Sequence, residues 1–288
     1  MINNLIIIIN LKIMNLEQIN DINLQSDILK STDSKSEQQI KLSTLPNPTL
    51  KIRIPIKQNM TIKEIIETNC PTSWEQTFIN AKNELDDVSD ILIKEEATYG
   101  PYFPLKKDLF RAFWLTRLDH VKVVLVGQDP YHDLVGDKPR AIGLSFSVSK
   151  DATIPSSLKN MYNELTRTGF TSASHGDLSS WADQGVLLLN ACLTVRARTP
   201  GSHGQIWLGF IQKVVQSVCD KNPNCVFILL GKNAQRLLKM LGDRVKTICA
   251  GHPSGLNRFD PFVGSDTFIK VNELLVKSRQ TPINWSLS

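Results

Sequence analysis

Along the second half of the chain, unbroken runs of β-branched and aliphatic residues alternate with stretches whose apolar positions recur every three or four residues. The runs are Val121–Val126, Leu144–Val148, Val186–Ala191 and Val226–Leu230, with a shorter one at Val245–Ala250. Short apolar runs without strict alternation read as strands buried on both faces. Between them, Trp207, Phe210, Ile211, Val214, Val215 and Val218 form one apolar stripe of a helix that stops before the turn Lys221-Asn222-Pro223-Asn224. Leu158, Met161 and Leu165 build a second helix after Pro155, with Ser156 and Ser157 as capping candidates and an end near Gly169. Phe268, Val271 and Leu275 mark a final helix. Strand–helix alternation of this kind predicts a single α/β domain with a mostly parallel central sheet flanked by helices on both faces. The pattern does not give the order of the strands.

At 288 residues the chain is long enough for a sizeable core. The sequence places the folded domain at about 60–288 and treats 1–59 as an extension. Residues 26–49 have the Ser-, Lys-, Gln- and Pro-containing composition of a linker. The longest apolar run near the start, Leu5–Ile9, is far short of the ~20 residues that span a bilayer. No basic residue precedes it and no Arg occurs before Arg53, which argues against a secretory signal and an Arg-rich transit peptide. Five cysteines without Cys-x-x-Cys spacing suggest neither a disulfide framework nor a metal site, so no cofactor or metal is expected and a reducing compartment fits best. The formal charge of +5 is compatible with a polyanionic partner but does not identify nucleic acid.

The chemistry concentrates at the ends of the strands. Gly127-Gln128-Asp129-Pro130-Tyr131-His132 follows the first run directly, so a carboxylate, an aromatic ring and an imidazole fall within four positions of a Pro-stiffened loop. Asn190 closes the Val186 run, and His252 follows the Val245 run. Taken singly, each reads as a solvated or self-satisfied loop residue. In an open parallel sheet, however, all three strand ends lie on the edge where ligands bind.

These residues also carry a resemblance. Val121-Lys122-Val123-Val124 leading into Gly127–His132, Gly143 through Val148, Pro155 through Leu165, Gly176-Asp177-Leu178-Ser179 and Gly185 through Arg196 match one known family. So do His252-Pro253-Ser254, Asn272-Glu273-Leu274-Leu275 and Pro282-Ile283-Asn284-Trp285. Over roughly residues 98–286 the chain resembles the family 1, or uracil-N-glycosylase type, uracil-DNA glycosylases. The hexapeptide is the strong signal, whereas His-Pro-Ser alone would be weak.

The resemblance implies a glycosylase that flips uracil out of DNA and hydrolyses its N-glycosidic bond. Asp129 would place the anion near the sugar and position or deprotonate the attacking water, while His252 would donate to uracil O2. Asn190 would pair with N3–H and O4, and Tyr131 would exclude the C5 methyl of thymine. Phe146 would stack on the base and the backbone around Gln128 would complete the pocket. Ser157 and Ser254 match phosphate-gripping loops, and Leu256 matches an apolar wedge that fills the space left by the flipped base. The implied partner is uracil-containing single- or double-stranded DNA. A monomer with no membrane association is expected, inside the cell in a nuclear or other DNA-containing compartment, or in a host cell if the source is viral.

Several positions depart from the family pattern. The segment Asp133–Arg140 is longer and more acidic than usual, Gly255 replaces Pro, Asn257 replaces Ser, and Asp260 stands at a commonly basic position. Leu230-Gly231-Lys232 replaces Trp-Gly-Ser, with Lys232 offering a point charge to phosphate. A DNA-holding subunit on the same fold would bind without turnover and remains the competing reading. A generic nucleotide-binding domain ranks last, since no glycine-rich phosphate loop follows the first strand.

Overall fold

The computed structural model describes residues 54–235, 245–254 and 262–288, which lie in a compact unit running from Lys51 to Ser288. Its described strands are β1 (Tyr102–Phe103), β2 (Val123–Gly127), β3 (Leu134–Val135), β4 (Lys138–Pro139), β5 (Val186–Asn190), β6 (Val195–Arg196), β7 (Val226–Leu230) and β8 (Lys246–Ala250). Four of them form a parallel sheet in the order β5-β2-β7-β8. Every residue of β2, β5 and β7 is buried, which explains why these strands read as continuous apolar runs. The edge strand β8 is largely half-buried. From β2 the chain steps to one side to make β5 and then to the other to make β7. Direction therefore reverses at β2, and the carboxyl ends of strands around such a reversal enclose a crevice.

The helices Ser156–Arg167, Leu208–Lys221 and Thr267–Lys277 follow the predicted stripes. Two expectations need correction. Leu144–Val148 is buried but is not a strand: Phe146 has φ +61°, which breaks an extended path. The buried Ser145 and Ser147 hydroxyls donate to the Leu125 and Gly176 carbonyls, while Leu178 N donates to Ser147 Oγ. A turn is thereby held inside the core without sheet pairing. Ser156 and Ser157 do not cap their helix either. Pro155 occupies the N-cap and both serines lie in the first turn.

Three helices upstream of the sheet, Ile62–Asn69, Glu75–Asn80 and Lys82–Tyr99, were not anticipated. Thr61 and Glu64 form a reciprocal capping box at the first. An aromatic cluster fastens this layer to the rest of the core. Phe78 meets Phe110 and Phe210 edge-on with ring centroids 5.1 Å apart, and Trp74 meets Phe113 in the same way. Such pairs contribute ~0.5–1.5 kcal/mol each beyond the area they bury. The carboxyl terminus is tied in by Trp181, whose indole N–H donates to Trp285 O at 3.1 Å while the two rings pack edge to face. No described helix is long and apolar enough to cross a membrane.

Candidate active site

The loop after β2 is held by the segment that continues β5. Ala191 N donates to Gly127 O, Cys192 N to Gln128 O, and Arg198 N to His132 O at 2.7 Å. The backbone of Gln128–His132 is therefore fixed at both ends before any side chain is considered. Pro130, buried within it, asks for no donor partner. A pocket of about 210 Å³ opens over this loop, bounded by Asp129, Tyr131, Phe146, Asn190 and His252 among others. It is smaller than the ~300–1,000 Å³ typical of drug-sized ligand sites.

Asn190 ends β5 opposite Gly127 and is 7% exposed. Its carboxamide has no hydrogen-bond partner among the described residues. It lies so close over Gly127 that a Cβ there would sit 2.3 Å from Asn190 Oδ1 and 2.9 Å from Ser145 Cβ. The missing side chain at 127 leaves the room that the Asn190 amide occupies. A buried amide with no hydrogen-bond partner among the described residues, at the wall of a pocket, is available to a ligand.

His252 follows β8. Its Nδ1 accepts a hydrogen bond from Ser254 N at 3.1 Å, so in the neutral ring the proton resides on Nε2. Burial pushes the imidazole below its ordinary value, against the opposing pull of the Asp129 carboxylate. The ring is therefore neutral at neutral pH and presents a fixed donor. Asp129 Oδ2 accepts from Gly201 N at 2.8 Å.

Tyr131 and Phe146 build the remaining walls. The Tyr131 hydroxyl donates to Phe146 O at 3.2 Å and lies 3.2 Å from Ser157 Oγ, and burial raises its pKa to about 12. Phe146, held at positive φ, lies with its ring centroid 6.3 Å from that of His252. A non-glycine residue in this backbone region is strained and needs its surroundings to hold it. Gln128 has an exposed side chain whose Oε1 accepts from Asn233 Nδ2.

The structure thus brings Gln128, Asp129, Tyr131, Phe146, Ser157, Asn190 and His252 to one pocket. Ser254 is adjacent through its amide. Leu256, Gly255, Asn257 and Asp260 lie outside the described residues. Lys232 is exposed in the short helix after β7. The Asp133–Arg140 segment forms a hairpin of β3 and β4, anchored by Arg140 to both Asp133 carboxylate oxygens and to Thr153 O.

Supporting residues escaped the sequence reading. Asn160 Nδ2 donates to Pro253 O at 2.7 Å. Glu164, 0% exposed, accepts from Gly264 N and Asp266 N at 2.7 Å each and from Arg167 at 2.9 Å. Burial works against the Glu164 carboxylate, but Arg167 and the two amides hold it below the usual range. Both residues lie on helix Ser156–Arg167, and nothing in its sequence distinguishes them from polar residues that face solvent.

These features define an α/β protein with a pocket at the carboxyl edge of its parallel sheet, where a carboxylate, a carboxamide, an imidazole and two aromatic side chains meet. Comparison with known proteins is specific. A profile of the Uracil DNA glycosylase superfamily matches residues 113–276. The chain is 41% identical over 231 residues to a uracil-DNA glycosylase of Deinococcus radiodurans, covering 78% of this chain and 91% of that one. It is 42% identical over 222 residues to that of Francisella philomiragia, covering 75% of this chain and 100% of the relative. The crystal structure of mimivirus uracil-DNA glycosylase superposes with a TM-score of 0.70 at 25% identity, covering 75% of this chain and 87% of that chain. The chain belongs to the uracil-DNA glycosylase superfamily.

Proposed function

We propose that this chain excises uracil from DNA, releasing the free base and leaving an abasic site as the first step of base excision repair, with residues 60–288 as the catalytic domain. The observation that carries the reading is the meeting, in one pocket, of an Asn190 amide without a hydrogen-bond partner among the described residues, a neutral His252 with its proton on Nε2, and the Asp129 carboxylate.

Uracil must leave the stack before a buried site can reach it, and the unstacking cost is least in single-stranded DNA. Asn190 offers an acceptor to N3–H and a donor to O4, whereas cytosine presents the opposite pattern and would leave the amide unmatched. Tyr131, which lines the same pocket, is assigned to the wall against the C5 methyl of thymine, so that thymine is excluded by bulk. Phe146 covers the face of the ring.

Cleavage moves the electrons of the C1′–N1 bond onto the base while positive charge develops on the sugar. His252 Nε2–H stabilises the anion gathering at O2 without transferring its proton. Asp129 stabilises the sugar cation and directs water to C1′, taking the proton that the water releases as the new C–O bond forms. Ser157, Ser254 and Leu256 are assigned to the DNA on either side of the flipped nucleotide, the serines to phosphates and the leucine to the gap.

The test is excision from a single-stranded oligonucleotide bearing one deoxyuridine, with thymine and cytosine controls, EDTA present and Asp129→Asn alongside. Uracil-specific release that falls by orders of magnitude in Asp129→Asn supports the reading. DNA binding without release by either protein would shift it to a holding subunit.

A further inference from the structure

Asp129 is oriented by a turn far away in sequence. Thr199 to Ser202 closes with Ser202 N donating to Thr199 O, with Pro200 second and Gly201, at φ +71°, third. Pro at the second position with positive φ at the third is the signature of a type II turn. Compared with type I, that turn rotates the central peptide by roughly half a revolution. Only in the type II form does the Pro200–Gly201 peptide present its N–H to Asp129; in the other it would turn the Pro200 carbonyl oxygen toward the carboxylate. The observed contact is Gly201 N to Asp129 Oδ2 at 2.8 Å.

The turn is anchored on both flanks. Before it, Arg198 N holds the carbonyl of His132, and Arg196 N donates to Ser202 Oγ. After it, His203 is 3% exposed, with Nε2 on Glu95 Oε1 at 3.2 Å and Nδ1 on Thr194 Oγ1 at 2.9 Å. The Glu95 carboxylate can only accept, so in the neutral ring that burial favours the proton sits on His203 Nε2, and Nδ1 accepts from the Thr194 hydroxyl, whose oxygen in turn accepts from Trp207 Nε1. The Arg196 guanidinium, stacked 3.6 Å from the centre of the Tyr99 ring, completes the set on the same Glu95 oxygen. Every donor in this chain points one way, so the turn rests on a base with one hydrogen-bonding arrangement.

We propose that Gly201 is a positioning residue for base excision: its amide, aimed by the Pro200–Gly201 turn and the Glu95–His203 anchor, occupies Asp129 Oδ2 and leaves Oδ1 as the oxygen that meets water and sugar. The inference rests on Asp129 being the reacting carboxylate. In this role Gly201 acts through its hydrogen bond to Asp129.

Three substitutions separate this from a packing role, measured as kcat, KM and melting temperature on the single-stranded deoxyuridine substrate, with wild type and Asp129→Asn as references. Replacing residue 201 by glycolic acid, so that a backbone ester removes the N–H and little else, lowers kcat on the order of tenfold to a hundredfold with KM within about twofold. Gly201→Val, whose β-branched side chain disfavours positive φ, lowers kcat at least as far. Gly201→Asn, which tolerates that region and keeps the N–H, retains the larger part of kcat. A wild-type kcat for the ester overturns the proposal, as does loss in Gly201→Val that follows its melting temperature while the ester is unaffected. Wild-type excision by Asp129→Asn would instead remove the premise about Asp129.

Discussion

Gly127→Ala tests the site at its tightest point. Gly127 does not have a positive φ, so alanine fits the backbone and the consequence is confined to what its methyl meets. That methyl would lie 2.3 Å from Asn190 Oδ1, whereas an ordinary carbon–oxygen contact is about 3.3–3.6 Å, so the amide must withdraw by roughly 1 Å. A shift of that size takes both of its hydrogen-bonding atoms out of register with the edge of uracil. Misplacement by 1 Å costs on the order of 100-fold in rate, or about 2.7 kcal/mol. A separate estimate agrees: leaving one buried polar group unmatched costs about 1–3 kcal/mol. The second contact, 2.9 Å from Ser145 Cβ, overpacks the core and costs about 1–3 kcal/mol of stability. For a domain of this size each kcal/mol lowers the melting temperature by about 2–4 °C, so the melting temperature of the variant is expected to fall by about 2–12 °C. The assay is kcat/KM for single-stranded deoxyuridine in Gly127→Ala, Asn190→Ala and the double variant, with a thermal melt of each. The expected result is an approximately 100-fold loss in the first, and less than about threefold further loss when Gly127→Ala is added to Asn190→Ala. A folded Gly127→Ala with wild-type kcat/KM refutes the reasoning, and an equal loss in both backgrounds shows that the damage does not pass through Asn190.

Two further outcomes follow from the walls and the imidazole. Tyr131→Ala admits thymine, raising its kcat/KM by about 10–200-fold, the range a single methyl commands in a fitted pocket, while Tyr131→Phe keeps the ring and the exclusion; continued rejection of thymine by the alanine variant moves the wall elsewhere. His252, its pKa lowered chiefly by burial, stays neutral as pH falls past the ordinary value of 6.5 and takes a proton on Nδ1 only in more acid solution, displacing the Ser254 amide. The stability it contributes is therefore full above 6.5 and is lost as pH falls toward the lower folded-state value. Ring-proton NMR of His252 titrating at or above 6.5 would contradict this.

The parallel sheet was legible because strands buried on both faces leave no polar interruption, and β7 was found to the residue. Leu144–Val148 failed for the same reason: its apolar residues are just as buried, but Ser145 and Ser147 bond to backbone that a strand would have left to its neighbours. The chemical residues were readable from the hexapeptide and from strand ends, since a parallel sheet sends all such ends to one edge. What packs against them was not. Glu164, Asn160 and the Gly127–Asn190 contact depend on segments 63 to 100 positions apart, and local pattern carries no trace of them. Pro200-Gly201 is a turn signal that was not read from the sequence. That its amide would meet Asp129, 72 positions away, is a property of the fold alone.

Helix Ser156–Arg167 touches the site at three levels: Ser157 at the Tyr131 hydroxyl, Asn160 at Pro253 O, and Glu164 at the amides of Gly264 and Asp266. Pro253 and Gly264 flank the segment that carries Leu256. One rigid rod thus supports both the wall assigned to choosing the base and the two footings of the segment assigned to holding the DNA open. A displacement of this helix would move all of these contacts at once, which couples the two assigned roles, choice of base and hold on DNA, through a single element.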